Sequence, residues 1–176
     1  MIINSIISLP GDKSISHRSI MLASIARGVS RITNLNDGED LQSTIKAMQS
    51  CGALIKQDKD LIVVTGSSLA NPKEPIDCGN SGTTSRLLTG LLSSQHLSFS
   101  LIGDESLSKR PMNRVIKPLK EMGCIIKSND GLLPLHIDAS NSFNGIDYKM
   151  PIASAQVKSA IILAGLGAKN PSVVKE

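Results

Sequence analysis

The chain has 176 residues, 40% of them hydrophobic and 19% charged, with a net charge of +4; this is the composition of a globular chain and excludes a disordered polymer. No five consecutive residues are Lys or Arg, and the aromatic residues are only Phe99, Phe143 and Tyr148, which argues against nucleic acid held by charge runs and base stacking. No apolar run reaches the ~18 residues that cross a bilayer, so the mildly positive balance suits small dissolved anions.

The first residues show no basic segment followed by an apolar run and a cleavage site, so the expected location is the cytoplasm. Cys51, Cys78 and Cys124 lie far apart without a CxxC spacing. They fit buried, reduced thiols rather than a zinc site or a disulfide framework. With so few aromatics the core must be aliphatic.

In chain order, an apolar strand-like run at 2–9 leads into GDKSISHR (11–18) and a helix expected over 14–27, with Gly28 where it stops. A β-favouring run follows at 29–35. A second helix, 39–51, carries Leu41, Ile45 and Met48 on one face, an acidic first turn and Gly52 as its stop. Strands at 53–56 and 61–65 are joined through Asp58-Lys59-Asp60 as a hairpin. The loop DCGNSGTTSR (77–86) precedes a helix at 86–92 and a strand at 97–102. Pro111 stands at the expected first position of a helix over 111–122, with Val115, Ile116, Leu119 and Met122 on one face and Pro118 as a kink point. Strands at 124–127 and 135–137 join through Asn129-Asp130-Gly131. A last helix covers 155–166, and PSVVKE reads as part of a strand.

Two stretches follow one template: IKAMQSCGALIKQDKDLIVV (45–64) and IKPLKEMGCIIKSNDGLLPLHI (116–137). Gly52 and Gly123 lie 71 residues apart, as do Ile45 and Ile116. Arg18, Arg86 and Gln156, spaced by 68 and 70, each follow a Ser/Thr-rich loop: GDKSISHR, GNSGTTSR and PIASAQ. The chain therefore holds two copies of a unit and the start of a third, each running helix, strand, helix, two strands. The fold class is α/β with mixed sheets. If the units pack around a pseudo-threefold axis, their first helices place three N-termini together. Each N-terminus offers unpaired N–H groups and about half a positive charge. Lys13, Arg18 and Arg110 would add fixed cations to that surface.

GDKS does not complete a phosphate-binding P-loop, because Ile6 stands where the first glycine belongs. Lys13 and Arg18 can still clamp a carboxylate or phosphate. In DCGNSGTTSR, Gly79 and Gly82 permit close backbone approach, and Asn80, Ser81, Thr83 and Thr84 supply neutral hydrogen-bonding groups. Lys109 and Arg110 precede the fourth helix as a third arm. Each loop alone also fits an ordinary solvated cap. His17 is a polar loop residue or a proton carrier. Tyr148 packs, or touches a ligand ring.

LPGDKSISHR, DCGNSGTTSRLLTG, SKRPMNRVIKPLKEMG and PIASAQVKSAIILAGL, in that order over 9–166, resemble the 5-enolpyruvylshikimate-3-phosphate (EPSP) synthase family, in its class II bacterial branch. The resemblance implies two similar domains of three βαβαββ units, the enolpyruvyl transferase-like fold. Residues 1–11 would be a crossover strand of the other domain, and 12–176 most of one three-unit domain, with two units complete and the third begun. It implies enolpyruvyl transfer from phosphoenolpyruvate to the 5-hydroxyl of shikimate-3-phosphate, in a monomer with no metal or organic cofactor. Lys13 would contact phosphoenolpyruvate and the reacting hydroxyl. Ser14 and Arg18 would hold the shikimate carboxylate, Ser154 its phosphate. Asn80 and Gly82 would line the phosphoenolpyruvate pocket, Arg110 would bind its phosphate, and Gln156 would bridge both ligands. Ala155 stands where some relatives have a second Ser. The bare Gly82 implies a pocket that admits the inhibitor glyphosate.

The family enzyme is more than twice as long, and its general base and acid belong to the other domain. The chain is expected to be a fragment with half of an active site, inactive alone and at most a weak binder of shikimate-3-phosphate. The alternatives are a related enolpyruvyl transferase of the same fold, or a non-catalytic truncated anion-binding fragment.

Overall fold

The computed structural model describes residues 9–141 and 143–176. It runs α1 (Lys13–Ile25), β1 (Gly28–Thr33), α2 (Glu39–Ser50), β2 (Leu54–Asp58) and β3 (Leu61–Gly66). Then come β4 (Ile76–Asp77), α3 (Gly82–Ser94), β5 (Ser98–Ile102), α4 (Glu105–Ser108), α5 (Asn113–Glu121), β6 (Ile125–Asn129) and β7 (Leu132–Asp138). Last are β8 (Asp147–Lys149), α6 (Ala155–Gly165) and β9 (Val173–Lys175). The strand expected at 2–9, and with it most of the crossover strand expected over 1–11, lies outside the described residues; Leu9 to Gly11 form neither helix nor strand.

The strands repeat one pairing scheme. In the second unit β4 lies parallel to β5, and β5 and β6 both pair antiparallel with β7, giving the order β4-β5-β7-β6. The first unit has the antiparallel part, β1-β3-β2, and the third has the parallel pair, β8 with β9. Both expected hairpins form. Lys59 turns β2 into β3 with φ 49°, and Asp130 and Gly131 turn β6 into β7 with φ 50° and 74°, the positive values a tight hairpin needs.

The repeat extends to single hydrogen bonds at the helix ends. After α2, the Gly52 N–H donates to Gln49 O at 2.9 Å and the Ala53 N–H to Met48 O at 3.0 Å. After α5, Gly123 donates to Lys120 O and Cys124 to Leu119 O, both at 3.0 Å. Gly52 and Gly123 have φ of 96° and 110°, values that an L side chain adopts only under strain. Helix starts repeat as well. Asp12, Ser81 and Ser154 each accept, through the side chain, the N–H three residues on: Ile15 at 2.7 Å, Thr84 at 3.1 Å and Val157 at 3.4 Å.

The short α4 is not among the expected helices, α1 ends two residues before the expected 27, and two further helices start elsewhere than expected. α3 begins four residues before the expected Arg86, because the Ser81 hydroxyl caps it, and it ends two residues later. Its polar residues survive burial by bonding back within the helix: Thr89 to Ser85 O and Ser93 to Thr89 O, both at 2.7 Å. α5 begins at Asn113, so Pro111 lies before the helix rather than at its first position. α5 continues through Pro118, which is buried.

α3 is the centre of the aliphatic core. Leu87, Leu88, Leu91 and Leu92 are buried on it, each burial contributing about 2 kcal/mol. Val115 and Leu119 of α5, Ile45 and Met48 of α2, and Ile20 and Met21 of α1 complete the surround. α6 crosses α3 closely enough that a Cβ at Gly90 would overlap the Ala160 carbonyl. The three cysteines are buried and unpaired, and burial pushes the Cys51 and Cys78 thiols up to about 11 and about 12.

Candidate active site

α1 opens with Lys13, whose ammonium pairs with the Asp40 carboxylate in the first turn of α2. Ser14 and Arg18, one turn apart on α1, share a face. Ser14 is exposed and Arg18 half-buried; among the described residues no carboxylate lies within ion-pair distance of Arg18. The Ser16 hydroxyl ties this turn to the next loop, accepting the Asn36 N–H at 2.8 Å.

His17 points the other way, into the core. It is a fully buried helix residue, correcting the loop expectation. Its Nδ1 lies 2.7 Å from Thr44 Oγ1, and that hydroxyl lies 2.7 Å from Thr84 Oγ1 on α3. Thr84 donates to Ser81 Oγ at 2.7 Å, with the Asp40 carbonyl a second acceptor at 3.2 Å. Burial holds the imidazole pKa down to about 4, Lys13 and Arg18 adding to the effect and Asp40 opposing it.

A second set of bonds joins α3 and α6 to the loops before α3 and α5. Arg110 donates to Asn80 Oδ1 at 2.7 Å, and Asn80 Nδ2 donates to Asp104 Oδ2 at 2.8 Å. The Leu107 N–H, the Asn80 amide and nearby Arg110 hold the Asp104 carboxyl below its ordinary range. Arg86 donates to Gln156 Oε1 at 3.0 Å, to Gly82 O at 3.2 Å and to Pro111 O at 3.3 Å. Gln156 Nε2 donates to Thr83 Oγ1 at 3.0 Å. Desolvation, with Arg110 and Arg114 nearby, lowers the Arg86 pKa. Gly82 is buried beneath this guanidinium: a Cβ there would sit 2.6 Å from Arg86 Nη1.

The expected residues therefore fall into two groups. Asn80, Gly82, Arg110 and Gln156 are linked through Arg86 and the α3 loop, with Ser154 capping the helix that carries Gln156. Lys13 is linked toward that group through α2, since it pairs with Asp40, whose carbonyl accepts from Thr84 at 3.2 Å; among the described residues no side-chain hydrogen bond ties Ser14 or Arg18 to it. Lys109 does not join it; it pairs with Glu105 at 2.6 Å on the surface. Nor is Gln156 the counterpart of Arg86 and Arg18. It is the second residue of its helix, whereas they are the fifth and sixth of theirs. Tyr148 is buried, beside an apolar cavity of about 220 Å³ next to α6 that none of the expected site residues lines.

The arrangement is a cationic surface at helix N-termini, held by neutral hydroxyls and amides, and it resembles a platform for anions more than an enclosed pocket. The family model of EPSP synthase (3-phosphoshikimate 1-carboxyvinyltransferase) matches residues 2–176. The chain belongs to the EPSP synthase family.

This EPSP synthase family member is similar to the 3-phosphoshikimate 1-carboxyvinyltransferases of Ruthia magnifica subsp. Calyptogena magnifica, at 51% identity, and Oceanobacillus iheyensis, at 49%. Each alignment covers 97% of this chain, and 40% and 41% of those proteins. The solved EPSP synthase of Acinetobacter baumannii superposes with a TM-score of 0.88 at 44% identity, over 92% of this chain and 38% of that one. The enolpyruvyl transferase NikO from Streptomyces tendae, at 14% identity and a TM-score of 0.66, shares the fold. The chain thus spans about two fifths of the length of the curated relatives it matches. Within the arrangement described above, Asp40, Thr44 and Arg86 are structural partners that carry no role in the sequence analysis. Asp40 lay in plain view as part of an acidic first turn; nothing local connects it to a lysine 27 residues earlier.

Proposed function

We propose that this chain supplies one face of the active site for enolpyruvyl transfer from phosphoenolpyruvate to the 5-hydroxyl of shikimate-3-phosphate, with release of phosphate. The hydroxyl oxygen bonds to the central carbon of phosphoenolpyruvate as the methylene carbon takes a proton. The tetrahedral adduct then expels phosphate and returns a proton from the methyl group, restoring the double bond. Both substrates are multiply anionic, so fixed cations and N–H dipoles bind them, and those aimed at the pyruvyl centre, where charge builds, stabilise the transition state.

In this reading Lys13 leaves Asp40 to meet phosphoenolpyruvate and the reacting hydroxyl. Ser14 and Arg18 take the shikimate carboxylate, and Ser154 its phosphate. Asn80 and Gly82 line the phosphoenolpyruvate pocket, Arg110 binds its phosphate, and Gln156 touches both ligands. Residues 1–11 belong to a second domain that carries the general acid and base, and 12–176 to most of the first. The whole enzyme works as a cytoplasmic monomer. Among the described residues no helix is long and apolar enough to cross a membrane.

The observation that carries the reading is the Arg86–Gln156–Thr83 set beside Arg110–Asn80, which gathers cations and oriented amides from α3, α6 and the loops before α3 and α5. Calorimetric titration of the 176-residue chain with shikimate-3-phosphate tests it. Weak binding, lost in Arg18→Ala, is expected. Binding indifferent to Arg18→Ala, or normal turnover by the chain alone, overturns the half-site assignment.

A further inference from the structure

His17 is fully buried, and among the described residues its Nε2 is the one buried side-chain polar atom without a hydrogen-bond partner. That asymmetry identifies the tautomer. An orphaned buried N–H costs more than an unmet lone pair, and orphaned N–H groups are correspondingly rare. The proton therefore belongs on Nδ1, which donates to Thr44 Oγ1 at 2.7 Å. Thr44 then has its own hydrogen free for Thr84 Oγ1 at 2.7 Å, and Thr84 passes its hydrogen to Ser81 Oγ at 2.7 Å. With the proton on Nδ1 the links run from His17 to Thr44 to Thr84 to Ser81, the Asp40 carbonyl standing as a more distant acceptor for Thr84 at 3.2 Å and for Thr44 at 3.5 Å.

The chain crosses three elements. His17 stands between Lys13 and Arg18 on α1. Thr44 lies one turn beyond Asp40, the carboxylate that holds Lys13. Ser81 caps α3, between Asn80 and Gly82. The charged groups acting on the ring are Asp40 from α2 and Lys13 and Arg18 from α1; α3 presents the neutral Thr84.

We propose that His17 is a positioning residue of the anion site: as a neutral Nδ1–H tautomer it starts a one-way chain through Thr44 and Thr84 to Ser81 that sets α1 against α3. This rests on the reading that α1 and the α3 loop bind substrate. A protonated ring would put a second N–H into the core with nothing to accept it, so His17 acts only when neutral.

The test pairs His17→Asn with His17→Leu in the 176-residue chain. The Asn amide can place a donor where Nδ1 stands, one bond from Cγ; Leu fills the space without one. Long-range 1H–15N NMR reads the tautomer, the ring signals lost in both variants being those of His17. A protonated Nδ1 and a bare Nε2 are expected at neutral pH and still at about pH 5. A protonated Nε2, or a charged ring at that pH, overturns the proposal whatever the binding data give. Titration with shikimate-3-phosphate is the second readout. His17→Leu is expected to lose about tenfold in affinity, while His17→Asn stays within about threefold of wild type. Equal losses in the two variants reduce His17 to core filling and overturn the positioning role. If the wild-type chain binds no shikimate-3-phosphate, the functional reading fails, and the same result removes the site that His17 would position; the tautomer still reports whether the hydrogen-bond chain itself exists.

Discussion

Arg86 Nη1 donates to Gln156 Oε1 at 3.0 Å, and this one bond decides which way the Gln156 amide faces. A guanidinium only donates, so the carbonyl end must point at Arg86. Nε2 then faces Thr83 Oγ1 at 3.0 Å, with a second N–H left for a ligand. Gln156→Glu would replace that donor by a carboxylate paired with Arg86. The melting temperature should stay level or rise slightly, while shikimate-3-phosphate affinity in calorimetry falls by about tenfold, because an anion would meet an anion. Unchanged affinity would show that the amide N–H takes no part.

Gly82 makes room for the Arg86 guanidinium. In Gly82→Ala, the new methyl would lie 2.6 Å from Nη1, and the side chain has to swing away from Gly82 O and Gln156. At the first residue of α3 alanine's helix-propensity advantage over glycine is smaller than the ~1 kcal/mol of a helix interior. Net stability in urea denaturation should therefore move by no more than about 1 kcal/mol, while anion affinity drops. A double-mutant cycle with Arg86→Ala should give a coupling of at least about 0.5 kcal/mol; strictly additive effects would separate the two residues.

Gly90 marks the opposite case. A Cβ there meets the Ala160 carbonyl of α6, which is backbone rather than a flexible side-chain tip. Gly90→Ala should destabilise the chain by about 2 kcal/mol or more by forcing α3 and α6 apart. Chemical denaturation gives the number, and a neutral result would mean that the helices re-seat without loss.

The caps should rank by bond length and burial. Ser81→Ala removes a fully buried hydroxyl that caps α3 and receives the Thr84 hydrogen, both within 3.1 Å. A loss of about 2 kcal/mol is expected. Ser154→Ala removes only a 3.4 Å cap at a half-buried site and should cost about 0.5 kcal/mol. Thermal unfolding of the two variants checks the order.

Stability should fall with pH in two separate windows. The His17 pKa is about 4 in the folded chain against an ordinary 6.5, so as pH drops the unfolded chain takes up the proton first. Its contribution is complete above about pH 6.5, shrinks toward about pH 4 and then levels off; the whole effect is on the order of 3 kcal/mol. His17→Asn should flatten the melting temperature across that window. Asp104 is also held below its ordinary 3.8, chiefly by the Leu107 N–H. Its contribution is present above that value and disappears only at lower pH, as the folded carboxyl protonates. Asp104→Asn should change the acid limb and leave the slope above pH 4.5 alone.

The sequence was most informative where structure is made locally. The matched caps after α2 and α5 close within six residues. Gly52, Gly123 and the two hairpin turns could therefore be placed from spacing and residue type alone. α3 starts four residues before Arg86 because its Ser/Thr-rich first turn, which resembles a loop in sequence, is helical once capped by Ser81. A hydroxyl-rich helix becomes favourable only when buried, where Thr89 and Ser93 bond back to their own carbonyls. Pro111 lies just before α5 rather than at its first position because proline suits a helix start and the turn before it alike.

The repeat, the α/β class, the family motifs and the candidate anion-binding residues can all be read along the chain, since each depends on neighbouring residues. How those residues are held follows only from packing across the fold. Lys13 to Asp40, His17 through Thr44 to Thr84, and Arg86 to Gln156 span 27 to 70 residues. Their geometry is set by the packing of α1, α2, α3 and α6, and packing follows from the summed burial of many aliphatic side chains rather than from any short motif.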